Sequence, residues 1–102
     1  LALYRQAFYR NPIIQSSANI TLNGVNIDTS ATDYLVAFAI ADNSTGNVTI
    51  TLADGSTNTF KSGVECAGLQ KNGDTTTGTL TIQGDTGTLS ATGGAYAAGI
   101  GG

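Results

Sequence analysis

A short pattern recurs along this chain at a constant interval, and that interval constrains the fold more than any other feature. The pattern reads Asn19-Ile-Thr-Leu22, Thr49-Ile-Thr-Leu52 and Thr79-Leu-Thr-Ile82, so that Ile20, Ile50 and Leu80 stand 30 residues apart. A fixed period of this size is the mark of one supersecondary unit repeated and stacked on itself. Within each copy the apolar residues alternate with Asn or Thr, which places the apolar pair on one face of a strand and the polar pair on the other. Turn signals follow each copy: Asn23-Gly24, Ala53-Asp54-Gly55 and Gln83-Gly84-Asp85.

Two further segments complete each repeat. Val25 and Ile27, Thr57–Phe60 and Thr88–Ala91 read as a second strand, and the apolar stretches Leu35–Ala41, Val64–Leu69 and Ala95–Ile100 as a third. The third segments share a small-small-apolar signature ending at Ile40, Leu69 and Ile100. Three strands separated by corners in each repeat predict an all-β fold: a parallel β-helix or solenoid of about three 30-residue coils spanning residues 13–102. A right-handed winding is expected, because right-twisted strands favour right-handed crossovers. One unit of this size cannot bury its own apolar face, so neighbouring coils must supply the burial and the backbone pairing.

Residues 1–12 differ from the repeats. Leu1, Leu3, Tyr4, Ala7 and Phe8 fall at helical spacing, and Asn11-Pro12 closes the pattern because the residue before proline avoids the helical region. The expectation is a short amphipathic helix or tail that caps one end of the stack.

Composition narrows the functional classes. Charged residues make up 11% of the chain and the net charge is −3, with Lys+Arg numbering 4. A nucleic-acid surface needs a basic face that these residues do not supply. No apolar run has the length of a membrane helix, so no membrane insertion is expected. Histidine, the commonest general base and metal ligand, is absent. The single cysteine, Cys66, lies among Val64, Ala67 and Leu69 and reads as a buried thiol. Asp54 and Asp85 follow the first strand of successive repeats, where stacked carboxylates could hold calcium, but Asp beside Gly is also what a turn requires. No metal, cofactor or catalytic residue is assigned, and the chain is read as non-enzymatic.

Two surface features remain. The outward columns Asn19, Thr49, Thr79 and Thr21, Thr51, Thr81 would form a flat polar grid, similar to the ice-binding face of some antifreeze proteins. Ice binding through Thr21, Thr49, Thr51, Thr79 and Thr81 is therefore one alternative. The other surface is an edge. Phe38 and Phe60 alternate inward as core, whereas Tyr34 and Tyr96 precede the third segment, with Asp33 and Glu65 near them. Exposed aromatic faces with polar groups alongside suit a sugar, so Tyr34, Tyr96, Asp33 and Glu65 form the expected ligand site.

Three phrases carry a family resemblance. They are Val48-Thr-Ile-Thr-Leu-Ala-Asp-Gly-Ser-Thr-Asn-Thr-Phe60, then Gly78-Thr-Leu-Thr-Ile-Gln-Gly84 with Gly87-Thr-Leu-Ser-Ala-Thr-Gly-Gly94, and Ala97-Ala-Gly-Ile-Gly-Gly102. They resemble repeat regions of large secreted or surface-anchored bacterial proteins, many from gut bacteria, some described as carbohydrate-binding domain-containing. The resemblance covers about the last two thirds of the chain. It implies an extracellular or cell-surface module for spacing, adhesion or weak carbohydrate binding, with a glycan as partner. The remaining alternative is a fragment of a glycan-active β-helix enzyme. Finally, a stack of coils leaves apolar rungs open at its ends, so self-association, as a dimer on base rates, is expected.

Overall fold

The computed structural model describes residues 13–14, 17–40, 46–71 and 77–102, together with the backbone of residues 2–7. Among these, every regular element is a strand: β1 (Ala2–Ala7), β2 (Ile13–Ile14), β3 (Ala18–Asp28), β4 (Phe38–Ile40), β5 (Val48–Leu52), β6 (Thr57–Lys61), β7 (Leu69–Lys71), β8 (Leu80–Gly84), β9 (Thr88–Thr92) and β10 (Ile100–Gly101). The fold is all-β and its strand pairs are parallel, arranged in two sheets. One sheet runs β8-β5-β3-β6-β9 with β1 also on β3, and the other runs β10-β7-β4-β2.

The first sheet is strongly curled. Its centre is the 11-residue β3, which pairs with β5 through Ala18–Leu22 and with β6 through Asn26–Asp28. The Asn23-Gly24 turn expected from sequence is a bend inside this one strand, with Gly24 at φ 83°. Glycine accepts that conformation without the penalty a Cβ would bring.

Alternation is kept along β5, β6 and β9, changes parity at the Gly24 bend of β3, and is absent from β4, whose three residues are all buried. On β5 Val48, Ile50 and Leu52 are buried while Thr49 and Thr51 are half-buried. Ile20, Leu22, Val25 and Ile27 of β3 join them, with Ala37, Phe38, Ile40, Phe60 and Leu69, in a single core between the sheets. Phe38 and Phe60 stack there, ring centroids 4.9 Å apart and planes 17° apart, and both are fully buried. An aromatic pair of this kind contributes roughly 0.5–1.5 kcal/mol beyond the area it buries. Cys66 is buried as expected.

Three expectations are corrected. The N-terminal helix is not formed: Ala2–Ala7 is a strand that lies parallel to β3, with Leu3 opposite Leu22 and Gln6 opposite Val25. An isolated helix of about a dozen residues is marginal in water, whereas the open edge of β3 offers a row of unsatisfied backbone groups. Leu1, Phe8 and Asn11-Pro12 lie outside the described residues.

The second correction concerns register. Ile20 pairs with Ile50 as expected, but Ile50 pairs with Ile82, not Leu80, and Leu52 with Gly84. The offset between β5 and β8 is 32 positions rather than 30. A shift by two keeps the same side chains facing inward, so the buried set survives.

The third correction is of the same kind. Leu69 pairs with Phe38 and Ile100 with Leu69, both 31 positions apart, while Ile40 faces Lys71. The small-small-apolar signature had aligned Ile40 with Leu69. The connections between strands differ in length from pass to pass, and sequence similarity alone does not say where the extra residues fall.

Candidate functional site

Each pass of the chain enters the second sheet through a tight turn. In the second pass Cys66 N–H donates to Gly63 O at 3.1 Å, and in the third Ala97 N–H donates to Gly94 O at 3.1 Å. Both close four-residue turns, Gly63–Cys66 and Gly94–Ala97. In the first pass the matching residues are 32–35. At the third position of these stretches stand Tyr34 (φ 62°), Glu65 (φ 64°) and Tyr96 (φ 67°). Among the described residues these are the positive-φ residues other than glycine. A turn with positive φ at its third position has the type II pattern, which ordinarily places Gly or Asn there.

The three turns lie directly over one another. Tyr34 N–H donates to Val64 O at 3.3 Å, and Glu65 N–H to Ala95 O at 2.9 Å. Gly63 N–H donates to Leu35 O at 2.9 Å and Gly94 N–H to Cys66 O at 3.0 Å. The approach is so close that a Cβ on Gly63 would overlap the Thr32 carbonyl, and a Cβ on Gly94 would overlap the carbonyl of Gly63. Glycine is therefore needed at the first position of the second and third turns, although the conformation at the third position would favour it more.

Tyr34, Glu65 and Tyr96 thus form one column, with neighbours on the order of 5 Å apart, the spacing of adjacent strands. All three are solvent-exposed, Tyr34 at 69% and Tyr96 at 94%. Asp33, also exposed, precedes Tyr34, while Val64 and Ala95 hold its place in the other turns. The four residues expected as a site are therefore brought to one ridge: three in register and Asp33 beside the first. Phe38 and Phe60 are core, as expected. The described surface has no pocket, so a partner would lie along the ridge.

Sequence reasoning missed the shared backbone conformation of the three residues. Its signal was present in the intervals: Tyr34, Glu65 and Tyr96 stand 31 apart, and Gly63 and Gly94 each precede by two.

The threonine surface is rearranged by the register of β8. Thr49 lies between Asn19 and Thr81, and Thr51 between Thr21 and Gln83. Gln83 Nε2 donates to Thr51 Oγ1 at 3.0 Å. Thr79 precedes β8, and both its N–H (2.9 Å) and its hydroxyl (3.2 Å) donate to Asn47 Oδ1. The rows are Asn19-x-Thr21, Thr49-x-Thr51 and Thr81-x-Gln83, so the grid keeps one complete Thr-x-Thr row.

The acidic residues are dispersed. Asp28 accepts from the N–H (2.9 Å) and hydroxyl (2.5 Å) of Ser30 and faces Lys61 across the β3–β6 pair. The Ser30 hydrogen bonds, helped by the Lys61 charge, hold its carboxyl below the ordinary carboxylate value. Asp54 and Asp85 are exposed at successive corners, where the bond between passes is Gly55 N–H to Thr86 Oγ1 at 2.9 Å. Among the described residues no group of three or more Cys, Asp or Glu is placed to hold a metal. Comparison with protein-family models, curated proteins and solved structures finds no match.

Proposed function

We propose that this chain is a parallel β-solenoid module of three stacked repeats that presents the Tyr34–Glu65–Tyr96 ridge for weak contact with a glycan. In this reading it is non-enzymatic and works outside the cell or at its surface, as a spacer or adhesive element. The solenoid is supported by the pairing offsets, which return the chain to each sheet every 30 to 33 residues between β3 and β9 and every 31 between β4 and β10. The resemblance of the last two thirds of the sequence to surface repeat regions supports the setting.

One observation carries the contact role. Three equivalent turns hold Tyr, Glu and Tyr in a left-handed conformation that disfavours them, in a chain with 14 glycines. Such a conformation costs on the order of 1 kcal/mol at each non-glycine residue. Tyr96 buries almost nothing in return. Residues kept at a local cost, with their side chains in solvent, point to use of those side chains. Tyrosine rings suit the apolar faces of sugars, and the carboxylate between them accepts hydrogen bonds from hydroxyls.

A glycan array, followed by titration of the best binder, tests this. Wild type should bind, and Tyr34→Ala and Tyr96→Ala should each weaken binding at least several-fold while the fold is retained. Binding that both variants leave intact, or no binding across the array, would overturn the proposal.

A further inference from the structure

Asparagine followed by glycine is the dipeptide in which a chain most readily attacks itself. The glycine nitrogen can reach the asparagine side-chain carbonyl carbon because no Cβ stands in the way. The N–Cγ bond forms, ammonia leaves with the proton of the attacking amide, and a succinimide ring results. Water then opens the ring at either of its carbonyls. One product is aspartyl. The other is isoaspartyl, in which the backbone runs through the former side chain. Water is the only reagent consumed.

Asn23-Gly24 is such a pair, at the bend of β3, and Asn23 is exposed to water. Yet the attacking nitrogen is not free. Gly24, at φ 83°, donates its N–H to Oδ1 of the fully buried Asn58 at 2.9 Å, and Val25 N–H donates to the same oxygen at 2.9 Å. Strand pairing fixes the chain on both sides: Leu22 lies opposite Leu52, Asn26 opposite Thr59, and Asn23 itself opposite Tyr4 of β1. Ring closure requires the Asn23–Gly24 peptide to rotate out of the strand and its nitrogen to give up the proton that Asn58 holds. A side-chain amide oxygen accepts a hydrogen bond but is too weak a base to take that proton, so the bond restrains the nitrogen without activating it.

The corresponding corner of the next pass is held differently. Asp54-Gly55 can close the same ring with loss of water. There Gly55 N–H donates at 2.9 Å to Thr86 Oγ1 in an exposed bond, and a Cβ on Gly55 would meet nothing within 4 Å. The asparaginyl pair, the more reactive of the two, is the one clamped by a buried side chain.

We infer that Asn23 is a latent modification site, converted to aspartyl or isoaspartyl only when the bend of β3 leaves Asn58. The aspartyl product changes an exposed side chain alone. The isoaspartyl product lengthens the backbone of the strand on which β1, β5 and β6 converge, and so disturbs a register in which one face must stay buried. A molecule that has opened and converted in this way does not close again.

Peptide mapping by mass spectrometry, with isoaspartyl resolved from aspartyl, tests this on the intact chain at mildly alkaline pH. Conversion at Asn23 should be slower in buffer than in denaturing urea by at least about ten-fold, because only the open fraction reacts. Asn58→Leu should convert several-fold faster than wild type at Asn23 with Asp54 unchanged, whereas a merely less stable fold would accelerate both. Wild type in urea below its unfolding transition provides a check that needs no variant: conversion at Asn23 and hydrogen exchange of the Gly24 amide should rise together. When denaturing urea is removed, chains with aspartyl at this position should refold and those with isoaspartyl should not. Equal rates in buffer and denaturing urea would overturn the inference. So would an Asn58→Leu protein, folded by circular dichroism, that converts Asn23 at the wild-type rate or accelerates Asp54 equally. Conversion that does not follow Gly24 exchange, or isoaspartyl chains recovered in the folded fraction, would also count against it.

Discussion

Asn58 Oδ1 accepts the backbone N–H of Val25 at 2.9 Å, across 33 positions of sequence. It also accepts the N–H of Gly24 at 2.9 Å. The cause is a mismatch in length. Leu22 pairs with Leu52, 30 positions on, but Asn26 pairs with Thr59, 33 positions on. The second pass therefore has three more residues at this corner than β3, and the bend of β3 is left without a backbone partner there. Asn58 turns inward, fully buried, and its Nδ2 donates to Ser56 Oγ and to Thr88 O, each at 3.0 Å. All its hydrogen-bonding groups are engaged. At the corresponding position in the third pass stands Leu89.

Replacing Asn58 by leucine, the residue of the next pass, conserves approximate size but leaves the buried Val25 amide and the half-buried Gly24 amide without their acceptor. Each such group costs about 1–3 kcal/mol, so Asn58→Leu should destabilise by at least about 2 kcal/mol. Urea unfolding gives the loss, and the Gly24 and Val25 amides should be the ones whose hydrogen exchange accelerates most. A loss below about 1 kcal/mol would mean that water replaces the side chain.

Ile50 and Thr49 are neighbours on β5 with opposite fates. Ile50 is fully buried between Ile20 and Ile82, while Thr49 is half-buried on the outer face. Ile50→Ala should cost about 2–5 kcal/mol through lost transfer energy and the cavity left behind. Thr49→Ala should stay within about 1 kcal/mol. Equal losses in denaturant melts would refute the assignment of the two faces.

Much of this was legible because inward and outward positions depend only on the parity of the register. Ile20, Ile50 and Ile82 all carry the alternation, and a slip of two residues leaves it unchanged, so the core could be named although the third pass was aligned to Leu80. The slip itself was not legible. The Asn23-Gly24 and Asp54-Gly55 signals look alike, yet one is a bend within β3 and the other lies in a longer corner. Local signals mark a turn without giving the number of residues it absorbs. The N-terminal strand was hidden for a different reason: Leu3 and Ala7, four residues apart, share a face at either period, and the edge of β3 decides between them. The ridge was legible as a set of exposed residues but not as strained backbone, because no propensity places tyrosine in that conformation.

Cys66 should behave as a protected thiol. Burial, and after it the adjacent Glu65 carboxylate, raises its pKa above the ordinary thiol value. The fold thus favours the protonated form. The stability linked to this preference is fully present below the unfolded pKa and is lost as pH rises through the higher folded value. Native protein at neutral pH should react slowly with a disulfide reagent and rapidly once unfolded. Wild type should also lose more stability than Cys66→Ala on the alkaline side. Rapid reaction of the native thiol at neutral pH would contradict this.

The strained turns give the sharpest test. Glycine at a left-handed position removes the clash between Cβ and backbone, and the gain outweighs the freedom it adds to the unfolded chain by about 1 kcal/mol. Tyr96 is the cleanest site, since its side chain is 94% exposed and little burial is lost with it. Tyr96→Gly should therefore raise the denaturation midpoint by an amount equivalent to about 1 kcal/mol, while weakening any ligand held on the ridge. Glu65→Gly should act in the same direction. Tyr34→Gly should gain least, because Tyr34 is 69% exposed and gives up some packing. Thermal and urea melts of the three variants provide the order. If all three are destabilised, these side chains make native contacts that outweigh the strain, and the argument that they are retained for a partner fails with it.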